Sequence, residues 1–252
     1  MAKLITITSG KGGVGKTTTA INLGAAINSF GKEVIVVDAN LTTPNIGVHL
    51  GAPIVPVSLN HVLLGKAKIS DAIYEHESGT KIVPSSLSAK DLRSINHSRL
   101  KEVGRRLKKM ADYIIYDSAA GLGDEAIAAM LSADEIILVT NPEIPAVTDA
   151  LKASKVIEDL GKQIRGVIIT RVTGGSHEMP ISNVQEMLEL PILGVVPEDK
   201  RVKMSVVMKD AVLHTHPKSN VARAYKKIAA RLIGKNDYKE DLSFWDRLIG
   251  RY

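Results

Sequence analysis

Gly10-Lys11-Gly12-Gly13-Val14-Gly15-Lys16-Thr17-Thr18 is the stretch on which the reading of this chain turns. An apolar run, Leu4–Thr8, leads into it, and a helical stretch, Thr19–Ile27, leads out. Glycines between a strand and a helix, closed by Lys-Thr, make a phosphate-binding loop in its expected context. Successive backbone N–H groups can converge on phosphate oxygens there, and the helix N-terminus adds partial positive charge. Gly12, Gly13, Val14, Gly15, Lys16, Thr17 and Thr18 are the expected nucleotide contacts. Lys16 is placed to reach the β- and γ-phosphates, and the Thr17 hydroxyl to ligate Mg²⁺.

Outward from the loop, short β-branched runs alternate with amphipathic stretches. The runs are Leu4–Thr8, Val34–Asp38, Lys81–Pro84, Tyr113–Asp117, Ile136–Thr140, Val167–Arg171 and Ile192–Pro197. Several are apolar on consecutive residues, the pattern of strands buried on both faces of a parallel sheet. Helices are predicted over Thr17–Phe30, His97–Ala111, Asp124–Leu131, Ala146–Leu160, Ser182–Leu188 and Asn220–Ile233. The alternation predicts an α/β fold with a doubly wound, mostly parallel sheet, whose ligands bind outside the carboxyl ends of the strands. Asp38 and Asp117 close two of the strands, which suits each to a metal shell, to orienting water, or to capping a turn.

Composition narrows the field. The chain has 252 residues, 24% of them charged, and no cysteine. That removes disulfide frameworks, Cys-ligated iron–sulfur clusters, zinc ribbons and thiol nucleophiles. No apolar run approaches the ~18–20 residues of a membrane span, and the first residues lack a signal-peptide pattern, so a cytoplasmic chain is expected. A net charge of +6 favours acidic partners without choosing among them. The seven histidines show no metal-ligand spacing; His214 and His216, two apart in a loop, are expected to be structural.

With its extra lysine, Lys11, the loop resembles the deviant Walker A signature of the MinD/ParA group of P-loop ATPases, a branch shared with the nitrogenase iron protein. The resemblance runs from about residue 3 to 233 and into the tail. It is MinD-like over Arg201–Arg231, which contains His216-Pro217-Lys218-Ser219. Ala39–Gly47 resembles the family's first switch and Ser118–Asp124 its second. What this implies is an ATPase with ATP and Mg²⁺ as ligands, slow without a stimulating partner, that closes as a nucleotide sandwich homodimer. Lys11 then matches the signature lysine that reaches the partner subunit's phosphates. Asp38 matches the residue that orients or activates the attacking water, facing the metal through that water, and Asp117 the residue that holds Mg²⁺. Asn141, Pro142, Arg171, Pro197 and Glu198 fall where the family lines its adenine pocket. Two positions depart from the pattern: Thr170 stands where Asn often precedes the adenine-stacking Arg, and Ala119 where many relatives have Pro.

Residues 1–234 are expected to form the ATPase domain, 235–241 a polar tether, and 242–252 an amphipathic helix. At 100° per residue, Phe244, Trp245, Leu248, Ile249 and Tyr252 share an arc of roughly 160° with Leu242. MinD relatives carry a membrane-targeting helix at this place. Docking on the protein's own core, on a subunit interface or on another protein are the alternatives. Lys235, Lys239, Arg247 and Arg251 balance Asp237, Glu240, Asp241 and Asp246, so no polybasic patch assists. Half-burying about five apolar side chains contributes on the order of 4–6 kcal/mol before ordering costs. Two tails on one dimer act together, which suits an ATP-dependent switch at the cytoplasmic face of the membrane.

Over Ser98–Met110, the residues Leu100, Val103, Leu107 and Met110 share a helical face, with Arg99, Lys101, Arg105, Arg106, Lys108 and Lys109 opposite. Those bases fit a solvated face or an anion patch. The functional expectations are therefore a MinD-like ATPase positioning division or other cell-surface machinery with an unidentified activating or cargo protein; second, a ParA-like partition ATPase on nonspecific DNA; third, an ATP-dependent ligase or synthetase of the same branch.

Overall fold

A computed structural model describes residues 2–88, 95–235 and 238. The expected tether lies outside these except at Lys235 and Tyr238. The expected C-terminal helix, with Phe244, Trp245, Leu248, Ile249 and Tyr252, lies wholly outside them. Among the described residues no helix is long and apolar enough to cross a membrane.

The strands are β1 (Lys3–Thr8), β2 (Val34–Ala39), β3 (Tyr74–Glu75), β4 (Lys81–Val83), β5 (Tyr113–Ser118), β6 (Glu135–Thr140), β7 (Ile164–Val172) and β8 (Ile192–Pro197). They form one sheet in the order β3-β4-β2-β5-β1-β6-β7-β8, parallel throughout except for the β3–β4 edge. Between them run α1 (Lys16–Asn28), α2 (Ile46–His49), α3 (Leu59–Leu63), α4 (Leu100–Leu107), α5 (Asp124–Ser132), α6 (Ile144–Asp159), α7 (Ile181–Leu188), α8 (Lys200–Val207), α9 (Val212–Thr215) and α10 (Asn220–Leu232).

The consecutive apolar residues of the central strands are explained by cover on both sides. Along β2, Ile35 and Val37 face a core completed by α3 to α7, while Val34 and Val36 face one completed by α1, α9 and α10. In β5, Ile114 and Tyr116 take the first side and Ile115 the second. Each such aliphatic side chain contributes roughly 1.5–3 kcal/mol on burial. The carboxyl ends of β1, β2 and β5 are therefore fixed by a two-sided core, and register pairs Asp38 directly with Asp117.

Three expectations change. The helix expected from His97 is a 3-10 turn, His97–Arg99, followed by the shorter α4. Leu100, Val103 and Leu107 are buried, but Met110 is 43% exposed, because the chain has already turned out of the helix. Several of the bases opposite are neutralised or engaged: Arg106 pairs with Glu102, Lys108 with Asp134, and Arg99 donates to the Leu63 carbonyl. That is the solvated face of a sheet-covering helix. His214 stands in α9 rather than a loop, its Nδ1 2.9 Å from Asp210 Oδ1.

Candidate functional site

β1 ends at Thr8 and α1 begins at Lys16, so residues 9–15 form the loop between the central strand and a helix N-terminus. Gly15 takes φ 94°, a left-handed conformation that costs a glycine nothing, and α1 has no side-chain cap. Its first N–H groups are left open to an anion. Gly10 is needed for a different reason: a Cβ there would stand 2.0 Å from the Asp149 carbonyl oxygen of α6. The loop is thus pressed against a neighbouring helix and held in shape.

Lys16 is only 8% exposed. Its Nζ donates to Ser9 Oγ at 3.0 Å, and Ser9 Oγ donates to the Lys11 carbonyl at 2.6 Å. Burial lowers its pKa, opposed by the charge of Asp117. Thr17 Oγ1 donates to Asp117 Oδ2 at 2.6 Å, while Asp117 Oδ1 is buried without a partner. Burial pushes Asp117 up to about 6, against the pull of Thr17 and Lys16. An orphaned carboxylate oxygen beside a hydroxyl, both hard donors, fits a magnesium ion. Among the described residues no group of three or more His, Asp or Glu could hold a metal unaided, so such an ion would share its ligands with phosphates.

Asp38 is fully buried and already engaged. Its Oδ2 accepts from the N–H groups of Asn45 and Ile46 at 2.8 and 2.9 Å, and Oδ1 from Asn40 at 3.3 Å. It therefore caps the loop leading to α2, the turn role that was open in the sequence. Burial first, then the neighbouring Asp117, holds its carboxyl well above the usual range. Two adjacent carboxyls in one dry site resist double ionisation, which a bound cation would relieve.

Lys11 behaves differently from Lys16. Its side chain is 44% exposed and lies 3.9 Å from Glu143 Oε2, at the start of α6, outside the cradle.

Beside the loop is a cavity of about 80 Å³ whose walls include Gly15, Thr18, Arg171, Pro197 and Glu198. Arg171 has φ 56°, unusual for a side-chain-bearing residue, where the β7–β8 register shifts. The bulge turns Arg171 out of the ladder, 3.9 Å from Glu198 Oε2. Asn141 and Pro142 are buried and do not line this cavity. Thr170 Oγ1 is 2.5 Å from the Val14 carbonyl and 3.0 Å from Asn141 Oδ1, so it joins the loop to Asn141. The Pro142 carbonyl accepts from Met179 N–H.

The structure thus gathers Lys16, Thr17, Asp38 and Asp117 at one point, and Arg171, Pro197 and Glu198 at a second beside it. Sequence reasoning missed Ser9, Tyr225 and Glu125. Ser9 could have been noticed as the hydroxyl preceding the loop. Tyr225 lines the cavity from α10 and pairs with Thr19 at 3.1 Å, and its spacing marks only a core residue. Glu125 looks like any acid in a helix's first turn.

Comparison with known proteins agrees with this geometry. Residues 5–210 match the CobQ/CobB/MinD/ParA nucleotide binding domain. The chain is 41% identical over 234 residues to an ATP-binding protein of Methanocaldococcus jannaschii, covering 93% of this chain and 89% of that one. It is 32% identical to the septum site-determining protein MinD of Buchnera aphidicola, with both chains covered in full. Among solved structures it is similar to the septum site-determining protein MinD of Pyrococcus horikoshii complexed with Mg-ADP. The TM-score is 0.89 at 36% identity, over 93% of this chain and 97% of that one.

Proposed function

Because this chain belongs to the CobQ/CobB/MinD/ParA nucleotide-binding family, we propose that it is a MinD-like ATPase whose nucleotide state controls self-association and membrane attachment. The observation that carries the reading is the convergence of Lys16, Thr17 and the half-engaged Asp117 at an open helix N-terminus.

Each part then has a task. The N–H groups of residues 12–18 cradle the phosphates, and Lys16 exchanges its Ser9 bond for the terminal phosphate. Thr17 and Asp117 would hold Mg²⁺, which supplies charge neutralisation on the β- and γ-phosphates. Asp38 orients the attacking water once the loop that occupies its oxygens rearranges. The water oxygen bonds to the γ-phosphorus as the bond to the ADP oxygen breaks, giving ADP and phosphate. Arg171, Pro197 and Glu198 flank the base. Lys11, exposed and outside its own cradle, is free to reach a second copy's phosphates.

Domain limits follow the same reading: residues 1–234 as the ATPase unit, 235–241 as tether and 242–252 as the membrane helix, with Phe244, Trp245, Leu248, Ile249 and Tyr252 entering lipid. Two tails on one dimer bind far more tightly than one, so dimerisation on ATP attaches the protein and hydrolysis releases it. A septum-site or other surface-bound partner completes the cycle, in keeping with the MinC:MinD complex of Aquifex aeolicus, a 26% identical structural relative.

Co-sedimentation with anionic liposomes tests this reading, with ATP, ADP or no nucleotide, for the full chain and a chain ending at Lys235. Pelleting with ATP alone, lost on truncation, is the expected result. Pelleting indifferent to nucleotide or to truncation would overturn the membrane cycle.

A further inference from the structure

We propose that Glu125 is a positioning residue for hydrolysis, fastening the loop of residues 40–46 to the segment that follows Asp117 so that the two move together and set Asp38. The proposal rests on the reading of Asp38 as the group that orients water.

Glu125 stands in the first turn of α5, where an acid ordinarily faces solvent or its own helix N-terminus. It is instead 9% exposed and turned onto another loop. Its Oε1 accepts from the N–H groups of Leu41 and Thr42, and its Oε2 from the Thr42 hydroxyl at 2.8 Å. Both oxygens are used, and a buried carboxylate bound by three donors is costly to release.

The same loop also donates to Asp38, through the N–H groups of Asn40, Asn45 and Ile46. Residues 40–46 therefore hang between two carboxylates, one from the strand before them and one from the helix after the second acidic strand. The Glu125 segment is tied in turn to the phosphate loop, since Gly121 N–H donates to the Ser9 carbonyl at 3.0 Å. Ser9 is the residue whose hydroxyl holds Lys16. Hydrogen bonds at Ser9–Gly121 and at Glu125–Leu41/Thr42, joined by the short chain segments 121–125 and 40–46, thus connect the phosphate loop to the donors on Asp38.

When Lys16 leaves Ser9 for a phosphate, displacement of this segment reaches the Asp38 donors through Glu125, and an Asp38 oxygen is freed for water. Without the Glu125 carboxylate, the Leu41–Thr42 end of this loop loses its tie to α5 and the displacement is not delivered. ATP binding, made by residues 12–18 and the base cavity, is untouched.

The test is a double-mutant cycle in single-turnover hydrolysis of Mg-ATP by the full chain: wild type, Glu125→Gln, Asp38→Asn and the pair. Glu125→Gln is expected to slow the hydrolytic step on the order of tenfold while changing the ATP dissociation constant less than about threefold. In the Asp38→Asn background it is expected to add no further loss. A wild-type rate for Glu125→Gln, or two losses that multiply, would overturn the proposal alone. An unimpaired Asp38→Asn would instead remove the reading on which it rests. Should Glu125→Gln not fold, Thr42→Val deletes one donor of the same set. It is expected to slow hydrolysis roughly threefold at unchanged ATP affinity, and a wild-type rate would be equally decisive against the proposal.

Discussion

Asp117→Asn should stabilise the nucleotide-free protein while removing the part of nucleotide binding that depends on Mg²⁺. Lifting a buried carboxyl from 3.8 to about 6 costs about 3 kcal/mol once it is ionised at neutral pH. The amide removes that cost, and it relieves Asp38 of the charge beside it. It keeps an acceptor for the Thr17 hydroxyl but brings an NH₂ group to where Oδ1 has no partner, returning about 1–2 kcal/mol. A net gain of about 1–2 kcal/mol remains, or ~3–6 °C in Tm for a chain of this size. The sign with pH follows. Between 3.8 and about 6 the folded state holds a proton that the unfolded state has lost, so wild-type stability falls as pH rises through that window. The advantage of the variant should therefore be absent near pH 4 and open through pH 6. Thermal melts in metal-free buffer from pH 4 to 8 read this directly, and adding Mg²⁺ to ADP-bound protein should raise the Tm of wild type but not that of the variant. A variant less stable than wild type at pH 7.5, or a difference indifferent to pH, would refute the reasoning.

Other substitutions separate fold from function. Arg171→Gly relieves a left-handed side-chain-bearing residue, for a net gain of about 0.5–1 kcal/mol in thermal melts, yet removes one wall of the base cavity. ATP affinity measured by calorimetry should fall as Tm rises; unchanged affinity would remove Arg171 from the site. Gly10→Ala drives a methyl into the Asp149 carbonyl and should cost about 1–3 kcal/mol of stability, read as a lower urea midpoint. Lys11→Ala should melt and bind ATP as wild type does but stay monomeric with ATP in sedimentation velocity, since its side chain lies outside its own cradle.

What the sequence made legible was what physics writes locally. The phosphate loop needs glycine at fixed offsets, and buried parallel strands need unbroken β-branched runs, so β1, β2, β5, β6 and the loop are legible from the residues alone. Asp38 and Asp117 stood out because each ends such a run. The helix α8 did not: Ser205 is its one buried residue, so it has no apolar stripe to read. Arg171 could be matched to a family position, but the bulge that turns it toward the cavity is a matter of register between two strands. Glu125 was illegible because its partners, Leu41 and Thr42, lie more than eighty positions away and only the closed sheet brings them together. The capping role of Asp38 was one of several open readings, and the N–H groups of Asn45 and Ile46 decided it.

The most direct test of the account is phosphate release from ATP with enzyme in excess, followed over hours so that a slow intrinsic rate suffices. Wild type and Lys16→Ala would be compared with Mg²⁺ and with EDTA. The account predicts release by wild type only with Mg²⁺ and none by Lys16→Ala. Release that persists in EDTA, or that survives loss of Lys16, would contradict it.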